Sequence, residues 1–320
     1  MKRSLLALAV LSAIAGTASA QSSVTLSGGL DLAIERTNGA YQFGSGNSGR
    51  SAFTIAGVED LGGGMAAFFA LNYRFTPSTG QTNSAYSPTQ FWRQDWLGLR
   101  GGFGEVRLGR MLPVLQEFNG GFDPFGTETV GSVHTGGLGA GLAGGARLNN
   151  AIYYKSPNLG GLQVHANIAA ADQQLAGSST ANFTGGAERP IGLGAIYAAG
   201  PIRFVVAYDK NTRDLKTTGI YGAYNFGIAE VMAQYEKGDI TATTDQTVYS
   251  VGLKAPVGAA TLKAGYRSNS DAKQKKLGAG VDYNLSKRTV VYTDIAKQSG
   301  DGHTTAEKKA RFDVGLWHKF

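Results

Sequence analysis

Hydrophobic and polar residues alternate with period two along most of the chain. Val24, Leu26, Leu30, Leu32 and Ile34 share one parity, and Thr25, Ser27, Asp31 and Glu35 share the other. Phe204, Val206 and Tyr208 oppose Arg203, Ala207 and Asp209, and Val231, Ala233 and Tyr235 oppose Glu230, Gln234 and Glu236. The pattern predicts strands near 23–36, 48–59, 64–75, 90–101, 104–112, 147–156, 162–171, 188–199, 201–210, 216–226, 228–238, 245–255, 258–268, 276–286, 289–299 and 308–320. That is an even set of sixteen, each nearer ten to twelve residues than the usual ~5–6 of soluble strands.

Short connectors carry turn residues, such as Asp60 to Gly63, Pro157 to Gly161 and Pro256 to Gly258. Longer polar loops lie between them at 37–47, 76–89, 172–187 and 300–307. Short turns at one end and long loops at the other suit an antiparallel, up-and-down transmembrane β-barrel. A lipid-facing strand must pair every backbone group, which a closed barrel achieves. The longest connector, 113–146, is glycine-rich at Gly136 to Gly145 and is expected to have a function of its own.

The first twenty residues read as a secretory leader. Lys2 and Arg3 precede an apolar stretch from Leu5 to Ala15, and Ala18-Ser19-Ala20 is a small-residue cleavage site before Gln21. Residues 21–320 then form one barrel domain. Setting aside Lys2 and Arg3 leaves 28 basic against 23 acidic residues. The basic residues are spread along the strands, so no nucleic-acid footprint is present. The chain has no cysteine, and its 47 glycines accompany 14 Tyr and 15 Phe. Tyr73, Phe75, Tyr153, Tyr154, Tyr224 and Phe226 fall toward strand ends, as interfacial girdles require. The histidines His134, His165, His303 and His318 show no metal-ligand spacing, and no cofactor or catalytic triad is expected.

Several segments resemble the general porins of Gram-negative bacteria, most closely those of β-proteobacteria. They are Ser23 to Gly28 with Asp31, Glu59 to Gly64, Gly104 to Arg110, Asp123 to Gly126, Asn150 to Pro157, Ser286 to Thr289 and Gly315 to Phe320. Trp317 stands where the family usually has a basic residue. The resemblance implies a homotrimer of sixteen-stranded barrels in the outer membrane, in contact with its lipid and lipopolysaccharide. Each barrel would be a passive diffusion channel for small hydrophilic solutes and ions. A substrate-specific channel and a non-conducting adhesin or anchor are the alternatives.

In the resembling family, the third loop folds into the lumen as a constriction, here 113–146, and arginines on the wall face acids on that loop. The matching basic residues are Arg50, Arg110 and Arg147, with Arg93 and Arg74 as additions. The loop acids are Glu117, Asp123 and Glu128. Parity directs Arg50, Arg74 and Arg147 inward. Arg110 shares parity with Val106 and Leu108 and turns inward only if its strand bends. A bulge is expected around Asp95 to Leu97, leaving the side of Arg93 open. Arg74 and Asn72 replace a common glycine and a frequent glutamate, which makes the wall more positive and favours anions. Phe320 matches the terminal aromatic read by the outer-membrane barrel assembly machinery.

Overall fold

The computed structural model describes residues 22–44, 51–82, 92–126, 129–134, 147–170 and 188–320. The proposed leader, Arg50 and Glu128 lie outside these residues. Sixteen antiparallel strands close into a barrel. They are β1 (Ser23–Thr37), β2 (Ala40–Gly44 and Ala52–Gly62), β3 (Met65–Thr76), β4 (Gln81–Thr82 and Gln94–Gly101), β5 (Gly104–Met111), β6 (Leu148–Lys155), β7 (Leu162–Ala169) and β8 (Ile191–Ala199). The second half comprises β9 (Ile202–Lys210), β10 (Lys216–Asn225), β11 (Glu230–Thr241), β12 (Thr244–Val257), β13 (Ala260–Asn269), β14 (Gln274–Asn284), β15 (Thr289–Ser299) and β16 (Arg311–Lys319).

Each strand pairs with its neighbour in sequence, and β1 closes the ring on β16 from Gly29↔Lys319 to Arg36↔Phe312. The last residue takes part in closure. Phe320 N donates to Gly28 O and Gly28 N to Phe320 O, both at 3.0 Å. The first and last strands thus close the wall on itself, as a lipid-embedded sheet requires. No described helix is long and apolar enough to cross a membrane.

The alternation is inside out relative to a soluble sandwich. Val24, Leu26, Leu193, Leu277 and Leu316 are exposed, whereas Asp31, Gln234, Glu236, Asp294 and Asp313 are buried on the opposite parity. The apolar row therefore faces lipid and the polar row faces the lumen. Aromatic rings gather at both ends of the wall. Phe53, Tyr73, Phe75 and Trp92 contact one another at the long-loop end, with ring centroids 5.2–6.4 Å apart. Tyr224 and Phe226, 4.5 Å apart, lie by a short turn.

Two strands gain a hairpin segment beyond the predicted bounds. The loop expected over 37–47 begins as a tight hairpin, because Asn38 (φ 54°) and Gly39 (φ 87°) adopt the positive φ values of a two-residue turn. Ala40–Gly44 then pairs with the upper part of β1, while Ala52–Gly62 pairs with its lower part. Gln81–Thr82 continues β3 as a hairpin in the same way before Gln94–Gly101 resumes the wall.

Candidate functional site

The connector after β5 enters the barrel. Pro113 starts a one-and-a-half-turn helix, α1 (Val114–Asn119), followed by a 3-10 turn at Gly120–Phe122. Val114, Leu115, Phe118 and Phe122 are buried against Tyr153, Val205, Ala207 and Tyr221 of the wall. Pro113 offers no side-chain cap, so the first helical amides need outside acceptors. The wall supplies them: Val114 N donates to Asn167 Oδ1 at 3.1 Å and Leu115 N to Asp209 Oδ2 at 2.9 Å.

The same device recurs along the loop. Gln234 Nε2 donates to Phe122 O at 2.8 Å, and Arg203 Nη1 to Gly121 O at 3.2 Å. Val130 N donates to Asp313 Oδ2 at 3.0 Å, and Arg267 Nη1 to His134 O at 3.1 Å. In all six bonds a wall side chain meets loop backbone. Wall glycines on the lumen parity make room for the chain. A Cβ on Gly194 would lie 2.8 Å from Phe118 and Val114, one on Gly252 2.5 Å from Pro124, one on Gly265 2.6 Å from Val133, and one on Gly278 2.2 Å from Gly131 O. The loop is thus seated along the inner face of β7 to β16.

The charges of the loop are engaged. Glu117 lies 3.8 Å from Arg107 Nη1. Arg107 also binds Glu105 and stacks over Trp96 at 4.7 Å and Tyr153 at 5.5 Å. Asp123 is buried and accepts bonds from Ser132 Oγ (2.5 Å), Phe125 N (3.1 Å) and Val133 N (3.4 Å). It ties the loop to itself and lies within electrostatic reach of Arg267 and Lys276.

Acids on the wall are engaged too. Asp31 accepts Tyr292 Oη at 2.6 Å, and Glu236 accepts Tyr221 Oη at 2.8 Å. Asp282 and Asp294 hold Lys263 Nζ at 2.6 and 3.0 Å, and Glu230 holds Arg203 at 2.6 Å. By contrast, Arg267 and Arg311 bond to neutral acceptors, His134 O and Gln298 Oε1.

The described arginines among those expected, Arg74, Arg93, Arg110 and Arg147, are placed differently from one another. Arg74 pairs with Ala52 and shares parity with Asn72, whose amide donates to Thr54 Oγ1 at 2.9 Å on the lumen side. The bulge expected near Asp95 is absent: the β3–β4 ladder runs from Ala66↔Arg100 to Asn72↔Gln94 in unbroken register. Trp96 faces the lumen because Arg107 stacks on it, and Asp95 takes the other face. Arg93 is half-buried just before that ladder, its N–H donating to Asn72 O at 2.8 Å.

Arg110 pairs with Asp95, in a cross-strand row that continues through Leu71 and Ile55 to Leu26, which is 62% exposed. The row faces outward, so Arg110 is not a lumen residue. Its register holds up to that pair and shifts only beyond it, between Gly109 and Met111. There Arg110 donates to Asn149 Oδ1.

The same shift pairs Met111 with Leu148 and turns both into the loop's apolar core. The simple alternation that directed Arg147 inward is interrupted at Asn150, where φ is 50°. Arg147 is buried at 4% exposure beside the base of the loop. Sequence reasoning did not select Arg100, Arg107, Lys155, Asn167 or Asp209 as site residues. Inward parity marked Arg107, Lys155 and Asp209, but nothing local distinguished them from ordinary wall.

A sequence profile of Gram-negative porins matches residues 7–303. Outer membrane porin protein 32 of Delftia acidovorans is 35% identical, over 92% of this chain and 89% of that protein. An outer membrane porin protein of Bordetella pertussis is 26% identical over the full length of both. The solved structure of an anion-selective porin from Comamonas acidovorans superimposes with a TM-score of 0.76 at 26% identity, covering 94% of this chain and 100% of that one.

Proposed function

The chain belongs to the Gram-negative porin family, and we propose that its lumen is a passive diffusion path across the outer membrane for small hydrophilic solutes and ions, with a mild preference for anions. One observation carries the preference. Of the described loop acids, Glu117 is paired with Arg107 and Asp123 alone lies within electrostatic reach of two cations, Arg267 and Lys276, while Arg311 bonds to the neutral Gln298. A low-dielectric wall strengthens the field of uncompensated charge, and charged rings set pore selectivity. The described part of 113–146 acts in this reading as the constriction, held against β7 to β16 and leaving the Arg74 side of the wall to line the opening. Arg50 and Arg147 are proposed to contribute to the same field. The name of the Comamonas acidovorans relative points the same way.

The proposed assembly is a homotrimer, in line with a structural neighbour described as a trimer. Arg110 and Asp95, placed on the outward row of β4 and β5, are then read as contributing to a protein contact rather than to the pore. Conductance of the purified protein in planar bilayers tests the channel. Steps in groups of three support the trimer, and absence of conductance refutes the channel.

A further inference from the structure

At the short-turn end of the barrel, on the lumen side, the wall forms an open cavity of about 590 Å³. Its lining includes Arg100, Glu105, Lys155, Ser156 and Gln163, with Asp60 at the rim. Short turns mark the periplasmic end of such barrels, so the cavity lies in the periplasmic mouth, at the opposite end from the long loops.

The lining carries two cations, Arg100 and Lys155, and two acids, Glu105 and Asp60, but neither acid pairs with either cation. Arg100, Glu105 and Lys155 are successive cross-strand partners on β4, β5 and β6. Opposite charges placed so usually neutralise one another. Here the Glu105 carboxylate is instead bound by Arg107, the next inward residue of its own strand. Asp60 is engaged as well, accepting the N–H of Gly62 at 2.8 Å within its turn. Among the described residues, Arg100 and Lys155 make no hydrogen bond or ion pair to an acid. Arg100 lies over the Phe68 ring at 5.4 Å, which orients its guanidinium without neutralising it.

Polar groups complete the lining. Ser156 Oγ accepts from Val164 N and donates to Pro157 O, both at 2.9 Å. Gln163 Nε2 donates to Ser156 O at 3.3 Å, leaving its carbonyl side as an acceptor for a hydroxylated ligand. Two strand spacings set the Arg100 and Lys155 backbones roughly 10 Å apart. Long side chains on both can converge on one ligand or bridge its two ends.

We propose that this cavity is a binding site for a small oxyanion bearing two or more negative charges, as carboxylate or phosphate. A solute with two or more charges can balance both cations whereas chloride balances only one, so the site favours multivalent solutes over chloride. The proposal rests on the lumen being a solute path. It adds a second selective station at the periplasmic mouth, separate from the loop.

Titration calorimetry of citrate onto the detergent-solubilised full-length protein tests it. One citrate per subunit is expected. R100A with K155A should weaken binding tenfold or more, and R100K with K155R should retain it. Should the double alanine variant fail to assemble, Lys155→Gln alone should weaken binding at least threefold. No binding to the wild type, or equal affinity in the neutralised variants, would overturn the site. Potassium chloride conductance, read separately without citrate, should persist in the neutralised variant, so loss of the site and failure of the channel reading give different results.

Discussion

Asp209 accepts the backbone N–H of Leu115 at 2.9 Å, joining residues 94 positions apart and fixing the start of the inner helix to β9. A side-chain oxygen accepting a helix N-terminal amide satisfies a donor that has no partner within the helix. Such a hydrogen bond contributes about 0.5–1.5 kcal/mol. Asp209→Ala should therefore loosen α1 while the barrel stays closed. Hydrogen exchange should quicken at Val114–Asn119, and open-channel noise should rise. Unchanged exchange there would mean that packing of Val114 and Phe118 holds the helix unaided.

The glycine seat makes a second, steric prediction. Gly278 lies on the lumen face of β14, where a Cβ would meet Gly131 O at 2.2 Å. Neither backbone yields easily, so Gly278→Val should push the loop away from the wall and into the opening. Single-channel conductance should fall, with strand content by circular dichroism unchanged. The same substitution at Gly222, where no atom lies within 4 Å of an added Cβ, should leave conductance as it is.

Arg107 stands between Glu105 and Glu117 and is stacked between Trp96 and Tyr153. Removing it exposes two carboxylates to the lumen at once. Arg107→Ala should move ion selectivity toward cations, and adding Glu117→Gln should recover part of the shift. Reversal potentials of the single and double variants check this. An unshifted value for Arg107→Ala would show that the pair lies off the ion path.

Phe320 closes the ring by exchanging backbone bonds with Gly28, and its ring occupies the space above that glycine, 2.7 Å from where a Cβ would stand. Deleting Phe320 should lower the amount of assembled protein in the outer membrane without lowering synthesis. Quantitative blotting of membrane and total fractions reads both. Equal membrane levels would reduce Phe320 to one more girdle aromatic.

The strands are legible in the sequence because period-two alternation directly records lipid on one side and water on the other. Leu26 and Ser27, or Val231 and Gln234, are assigned by parity alone. Parity fails where register shifts. The irregularity between Gly109 and Met111 is a relation between two strands, so alternation alone places Arg110 on the outward row but does not place Arg147. The loop anchors are hidden for another reason. Asn167 and Asp209 look like any lumen polar residue, and their partners are backbone amides whose position depends on the whole fold. The Asn38-Gly39 hairpin, in contrast, carries a recognisable turn signal inside a segment that reads as loop.

The proposed preference for anions follows from described loop acids that are matched or outnumbered by the cations they face. It is tested by the zero-current potential of the wild-type channel in a bilayer separating dilute from concentrated potassium chloride. A potential of the sign set by chloride movement is expected. It should shrink toward zero when both sides approach molar salt, where the screening length falls to about 3 Å. A potential of the opposite sign, set by potassium, would contradict the proposed selectivity.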